Sequence, residues 1–346
     1  MTTTTATENL SSQSQDTTVV AESLSVMIQK ELTIYTRNGY LDAYEPTIII
    51  TSDNRMALVD WCYSVVDHCQ FSREAVAAAM DMVDRFLSIP SSTTDEALRD
   101  QNKFQLLTIT ALYVAIKINE REALSSDLFA EISRGAYTTE EIEGMERVLL
   151  RGLSWRCNAP TASQVGHSIL SLILPHTKCS EVTWVFLMDE MKYLTEHAVR
   201  DYYFSTQRPS TIALATIFNA IGHISGHERH ELLEAFLCIL ECFDFDENKI
   251  IVAASKRVHR LLQQDNHDHY HDVVIMEEMI EVLIPAAAAA SQTNTTEMSS
   301  VNSSMKHRLK VFYSRLHQHQ QQVDPIQSPK LVSQRSPICI VSICDL

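Results

Sequence analysis

Glycine is almost missing from this chain: there are 7 in 346 residues, where an average usage of about 7% would give roughly 24. Glycine supplies the positive-φ positions of tight turns and phosphate-cradling loops. A chain this short of it is poorly suited to β-rich folds and to nucleotide-binding α/β folds. Long helices joined by short links remain. Hydrophobic residues make up 45% of the chain, enough for real cores, and the length points to two domains rather than one.

The formal net charge of -16 repels phosphate backbones, so no nucleic acid is expected as a direct partner. The 8 cysteines are scattered. Cys62 and Cys69 stand two helical turns apart, Cys238 and Cys242 one turn apart, and no C-x-x-C occurs. Neither a zinc or redox site nor any other cofactor is expected. The opening "MTTTTATENLSSQSQDTTVV" has no basic region followed by an apolar core, so it does not read as a signal peptide. Nor does any apolar run of about 20 residues span a membrane. An intracellular protein with reduced thiols is expected.

Helical periodicity organises the chain. Residues 1–20 are Thr/Ser/Gln-rich and are expected to be a disordered tail. Residues 21–53 read as an N-terminal helix and linker. From Asn54 five helical segments follow. The third, "FQLLTITALYVAIKI", carries no charge between Lys103 and Lys117, the pattern of a central helix wrapped by others. The fifth opens on Thr138-x-x-Glu141, a capping-box signal. After "NAPTAS" five more segments follow, the second over 181–204 and the third again small and apolar, "RPSTIALATIFNAI". The expectation is an all-α chain of two tandem five-helix units, at 54–158 and 159–264, with a mostly disordered tail over 265–346.

"VDRFLSIP" (Val83 to Pro90) raises a question, because it puts Asp84 and Arg85 inside an apolar stretch. A catalytic acid, a nucleic-acid contact and a buried strut are the three readings. A carboxylate on an apolar face is tolerated when it is paired and hydrogen-bonded.

"RMALVDW", "DRFLS", "LLTITALYVAIKINE", "YTTEEIEGMERVLLRGLSW" and "PTAS" occur in this order. Together they resemble the cyclin box, the core of the regulatory subunits of cyclin-dependent protein kinases. "RPSTIALATIFNAI" resembles the matching stretch of a second cyclin fold. The resemblance is strongest over residues 54–160. It implies a structural ion pair between Arg55 and Asp84, which answers the question in favour of the strut. It implies that Lys117 and Glu146 face a kinase and bond to its backbone, with Ile118, Trp155 and Cys157 as apolar contacts around them. It places Leu58, Trp61 and Gln105 in a groove that docks Arg-x-Leu substrates or inhibitors. Asn54, Ala57 and Gln101 depart from the family's pattern there, so a weakened groove is expected. Asn119 also replaces a family Glu.

The implied function is a cyclin, a non-catalytic subunit that binds and allosterically activates a Ser/Thr kinase in cell-cycle control, in nucleus and cytoplasm. A transcription- or phosphate-regulation-type cyclin with a different kinase is the alternative. A general transcription factor of the same fold needs basic faces, which the net charge disfavours. An enzyme is disfavoured because no nucleophile–base or metal constellation is present. Three further motifs stand outside this pattern. "HDHYHD" (His267 to Asp272) is a weak metal candidate without a fixed supporting shell. "LECFD" (Leu240 to Asp244) falls one residue short of a retinoblastoma-binding pattern and lies in a helical segment. Ser328 and Ser336 precede proline and could be phosphorylated.

Overall fold

The computed structural model describes residues 4–41, 48–121, 125–243 and 248–265. Among the described residues there are α-helices and one 3-10 turn, and no strand. A long helix α1 (Thr4–Thr33) leads into a first bundle. That bundle comprises α2 (Ser52–His68), α3 (Glu74–Leu87), α4 (Ser92–Arg99), α5 (Gln101–Asn119), α6 (Ser126–Ile132) and α7 (Thr139–Gly152). A second follows: α8 (Ala162–Ile173), α9 (Glu181–Arg200), the single turn α10 (Tyr202–Ser205), α11 (Pro209–Gly222), α12 (His227–Cys242) and α13 (Asn248–Asp265).

The two uncharged segments are the two hubs. α5 is buried from Phe104 to Ile116 apart from Gln105 and packs on α2, α3, α4, α6 and α7. Its start is fixed by Asp100, whose carboxylate accepts the Asn102 N–H at 2.8 Å. α11 is buried over its whole length and packs on α8, α9, α12 and α13. Gly152, the last residue of α7, sits where a Cβ would come 2.6 Å from the Phe86 ring. Glycine is needed there for close approach, not for a turn.

Three expectations change. First, the first bundle holds a sixth helix: α4, which falls between the expected segments, is capped by the Ser91 hydroxyl and buries Thr94, Ala97 and Leu98. Eight residues are too few for periodicity to declare. Second, the segment read as one helix over 181–204 breaks at Asp201, whose carboxylate caps α10 through the Tyr203 N–H and also pairs with Arg257. Third, α1 begins at Thr4, within the stretch expected to be disordered. No Gly or Pro occurs between Thr4 and Thr33 to stop the helix, and extension from a formed helix is inexpensive. The expected tail over 265–346 lies, but for Asp265 at the end of α13, outside the described residues.

The Arg55–Asp84 strut is present. Arg55 Nε donates to Asp84 Oδ1 at 2.9 Å and Nη2 to Oδ2 at 2.7 Å, a two-pronged pair with both residues buried. Tyr40 Oη donates to the same Oδ1 at 3.0 Å. Arg55 Nη1 then donates to the Val199 carbonyl of α9 at 2.7 Å. One side chain therefore ties α2 to α3, to the N-terminal segment and to the second bundle. Burial would pull the Arg55 pKa down, but the charge and bonds of Asp84 outweigh it and raise it, so the guanidinium stays charged.

Arg85 does not pair with its neighbour Asp84. It bonds Asp81 one turn back at 2.7 Å, and Arg37 bonds the other oxygen of Asp81 at 2.6 Å. Arg55→Met or Asp84→Leu singly, leaving one buried charge alone, should cost about 3–5 kcal/mol of unfolding free energy. Urea unfolding checks this, and a loss under 1 kcal/mol would remove the strut from its role.

A second polar contact locks α1. The N-cap residue of α11, Arg208, gives no side-chain cap. Buried Glu31 of α1 does so instead: it accepts the Ser210 N–H at 3.0 Å and the Ser210 hydroxyl. Burial nevertheless holds its pKa above the ordinary 4.5, against the lowering effect of the Ser210 bonds. The folded-state value is the higher one, so its contribution to stability is full below pH 4.5 and is lost as pH rises through the folded value. Relative to Glu31→Gln, the natural chain should gain stability as pH falls from 7 towards 4.5 in matched urea titrations. A difference that is flat with pH would contradict the burial argument.

Candidate functional site

α5 and α7 pack side by side, and this brings together two charges far apart in sequence. Lys117 lies in the last turn of α5, and Glu146 in the middle of α7. Lys117 Nζ donates to Glu146 Oε1 at 2.8 Å. The lysine side chain is 38% exposed and the glutamate 16%. Lys117 Nζ also lies 4.8 Å from the centre of the Tyr113 ring, one turn back on the same face. The Glu146 hydrogen bond raises the lysine pKa, so it is fully charged at neutral pH. The start of α7, and with it the position of Glu146, is set by the expected capping box: Thr138 and Glu141 exchange side-chain-to-backbone bonds.

The surroundings divide. Ile118 is 44% exposed and Trp155 73%, so both present apolar surface to solvent. Trp155 is held there by its backbone. Ser154 and Trp155 have φ of 52° and 63°, and the Trp155 N–H reaches back to the Leu150 carbonyl at 2.8 Å to close α7. Cys157 differs from expectation. It is buried in the first core, and burial pushes its thiol pKa up, so it packs rather than presents a contact. Asn119, the departure from the family's Glu, turns back to donate to the Ala115 carbonyl at 2.8 Å. Glu120 accepts the Ser72 N–H at 2.9 Å.

The expected docking groove is only partly open. Leu58 is buried and Trp61 half-buried on α2, and Gln105 is half-buried on the adjoining α5. Gln105 Oε1 already accepts the Tyr137 hydroxyl at 3.1 Å. Asn54, where the family carries a larger apolar residue, has a local job: its amide oxygen accepts the Thr51 N–H in the capping box that starts α2.

Sequence reasoning missed the ring of Tyr113 under Lys117; the i, i+4 spacing could have shown it. Among the described residues, no group of three or more His, Cys, Asp or Glu could hold a metal ion, and no helix is long and apolar enough to cross a membrane. Residues 267–272, Ser328 and Ser336 lie outside the described residues. In "LECFD", Leu240 is buried and α12 runs through Cys242, so its first three residues are helix, and Asp244 lies outside the described residues.

Comparison with known proteins now adds independent findings. Residues 22–158 match the family model "Cyclin, N-terminal domain". Over 181 residues the chain is 31% identical to G2/mitotic-specific cyclin-B2 of Oryzias latipes, covering 52% of this chain and 42% of that protein. It is 28% identical over 171 residues to putative cyclin-A3-1 of Arabidopsis thaliana, covering 49% and 45%. The matches thus span less than half the length of these relatives. Among solved structures, a viral cyclin from herpesvirus saimiri superposes with a TM-score of 0.51 at 16% identity, covering 70% of this chain and 99% of that one, a likeness of fold. Residues 22–158 thus carry a cyclin N-terminal domain, and over about half its length the chain is similar to cyclins of the A and B types.

Proposed function

We propose that this chain is a cyclin that binds and allosterically activates a cyclin-dependent Ser/Thr kinase in the cell cycle, in nucleus and cytoplasm, and supplies no catalytic residue. The observation that carries the reading is the Lys117–Glu146 pair: two charges from different helices, joined at 2.8 Å, with exposed Ile118 next to Lys117 in sequence and exposed Trp155 just past the end of α7. Charged donors and acceptors beside apolar anchors are what a protein-binding hot spot requires. The relatives' names, G2/mitotic-specific among them, support a cell-cycle role over the alternative of a transcription- or phosphate-regulation cyclin.

The mechanism is differential binding. A surface held in one shape favours one position of a mobile kinase helix, and the binding energy shifts the kinase toward it. In that position the kinase's own Lys–Glu pair and metal-binding Asp are seated. Leu58, Trp61 and Gln105 form a weakened site for substrates or inhibitors.

The test begins with affinity purification of the full chain from cells and identification of the kinase that comes with it. Lys117→Ala with Glu146→Ala should then lose about 2–5 kcal/mol of binding to that kinase and most of its activation in a kinase assay. The pair is partly exposed, so removing it should shift folding stability by less than about 1 kcal/mol, with the circular dichroism spectrum unchanged. A folded double variant that activates normally would refute the assignment.

A further inference from the structure

α9 divides into two halves. Its C-terminal half is committed to the first bundle: Glu196 pairs with Arg73, and Arg200 bonds Asp60 at 2.6 Å. Its inner face is committed to the second core through Leu187, Met191 and Leu194. On the outer face of the N-terminal half, Val182 is 80% exposed, Val185 52% and Phe186 40%. These positions are i, i+3 and i+4, one continuous ridge, and Tyr193 (42% exposed) extends it two turns further. Single exposed apolar residues need no explanation, but a contiguous row marks an interaction surface.

The charges around the ridge are acidic. Asp189 is exposed on the ridge itself, between Phe186 and Tyr193, and Glu181 is exposed at its start. Glu228 of α12 reaches over to the same end of α9, accepting the Thr183 hydroxyl and the Ser180 N–H. Those bonds lower its pKa and keep it ionised. Lys192 is the basic side chain of α9 beside them. An apolar row rimmed by carboxylates selects an apolar row rimmed by cations.

We propose that the N-terminal half of α9 docks a basic amphipathic helix of a partner protein, its apolar residues packed on Val182, Val185 and Phe186 and its Lys or Arg side chains on Asp189, Glu181 and Glu228. A helix fits because its ridges match the i, i+3, i+4 row. The surface is separate from the Lys117–Glu146 pair and does not depend on the kinase reading. A patch this small gives weak, transient association.

The full chain is titrated against a fluorescein-labelled synthetic Leu/Lys amphipathic helix and its Leu/Glu counterpart, read by fluorescence anisotropy. The Leu/Lys helix should bind, more weakly as salt is added, and the Leu/Glu helix should not. Val182→Ser with Phe186→Ser removes apolar surface without touching charge and should weaken binding by about tenfold or more, with the helical circular dichroism spectrum retained at the assay temperature. Asp189→Lys should weaken the Leu/Lys helix and admit the Leu/Glu helix. The proposal is overturned by no binding, by equal binding of the two helices, or by binding that survives the double Ser variant. It is equally overturned by a concentration-dependent dimer of the free chain that the double Ser variant abolishes, because a second copy then occupies the face.

Discussion

A single buried carboxylate pair holds this molecule in register. Asp81 and Asp84 lie one turn apart on α3, both buried, and between them they bind Arg37, Arg55, Arg85 and Tyr40. Arg55 carries the connection on to the Val199 carbonyl, and Arg85 to the Arg156 carbonyl at 2.8 Å. Burying such charges costs several kcal/mol each before pairing, so the network's net stabilisation is small. Its effect is on geometry. Two apolar bundles could pack in many ways, because hydrophobic contact is non-directional. Charges that must all find partners allow one arrangement.

That fixed arrangement is what a regulatory surface needs. Lys117 and Glu146 belong to helices whose positions are set independently, α5 by its wrapped core and its Asp100 cap, α7 by its capping box. The pair meets without help from a partner. A partner then meets side chains already in place and spends little of its binding energy on ordering them. Glu31 does the same for α1, fastening it to the start of α11 rather than leaving it to apolar contact alone.

The hubs α5 and α11 were legible because all-round apolarity in a helix too short to cross a membrane has one reading, a core position wrapped by other helices. So was Arg55–Asp84, through the order of the motifs. The rest depended on facts that sequence pattern does not carry. α4 is too short for periodicity. The break at Asp201 turns on where one carboxylate points, since Asp inside a helical pattern can be a cap or a surface residue. The Asp81–Arg37 bond joins residues 44 apart, and Glu31–Ser210 joins residues 179 apart. Cys157 went the other way: the resemblance set it among the apolar contacts, but its burial in the first core is a property of the folded neighbourhood.

The scarcity of glycine returns at the candidate site with a consequence. Left-handed backbone costs a residue with a Cβ about 1–2 kcal/mol, and the chain accepts this at Gln70, Arg134, Ser154 and Trp155. At Trp155 the residue is bulky and 73% exposed, so neither the backbone nor the core is served by it. A glycine would close α7 more cheaply. Left-handed backbone kept at an exposed aromatic supports the proposal that a partner covers Trp155.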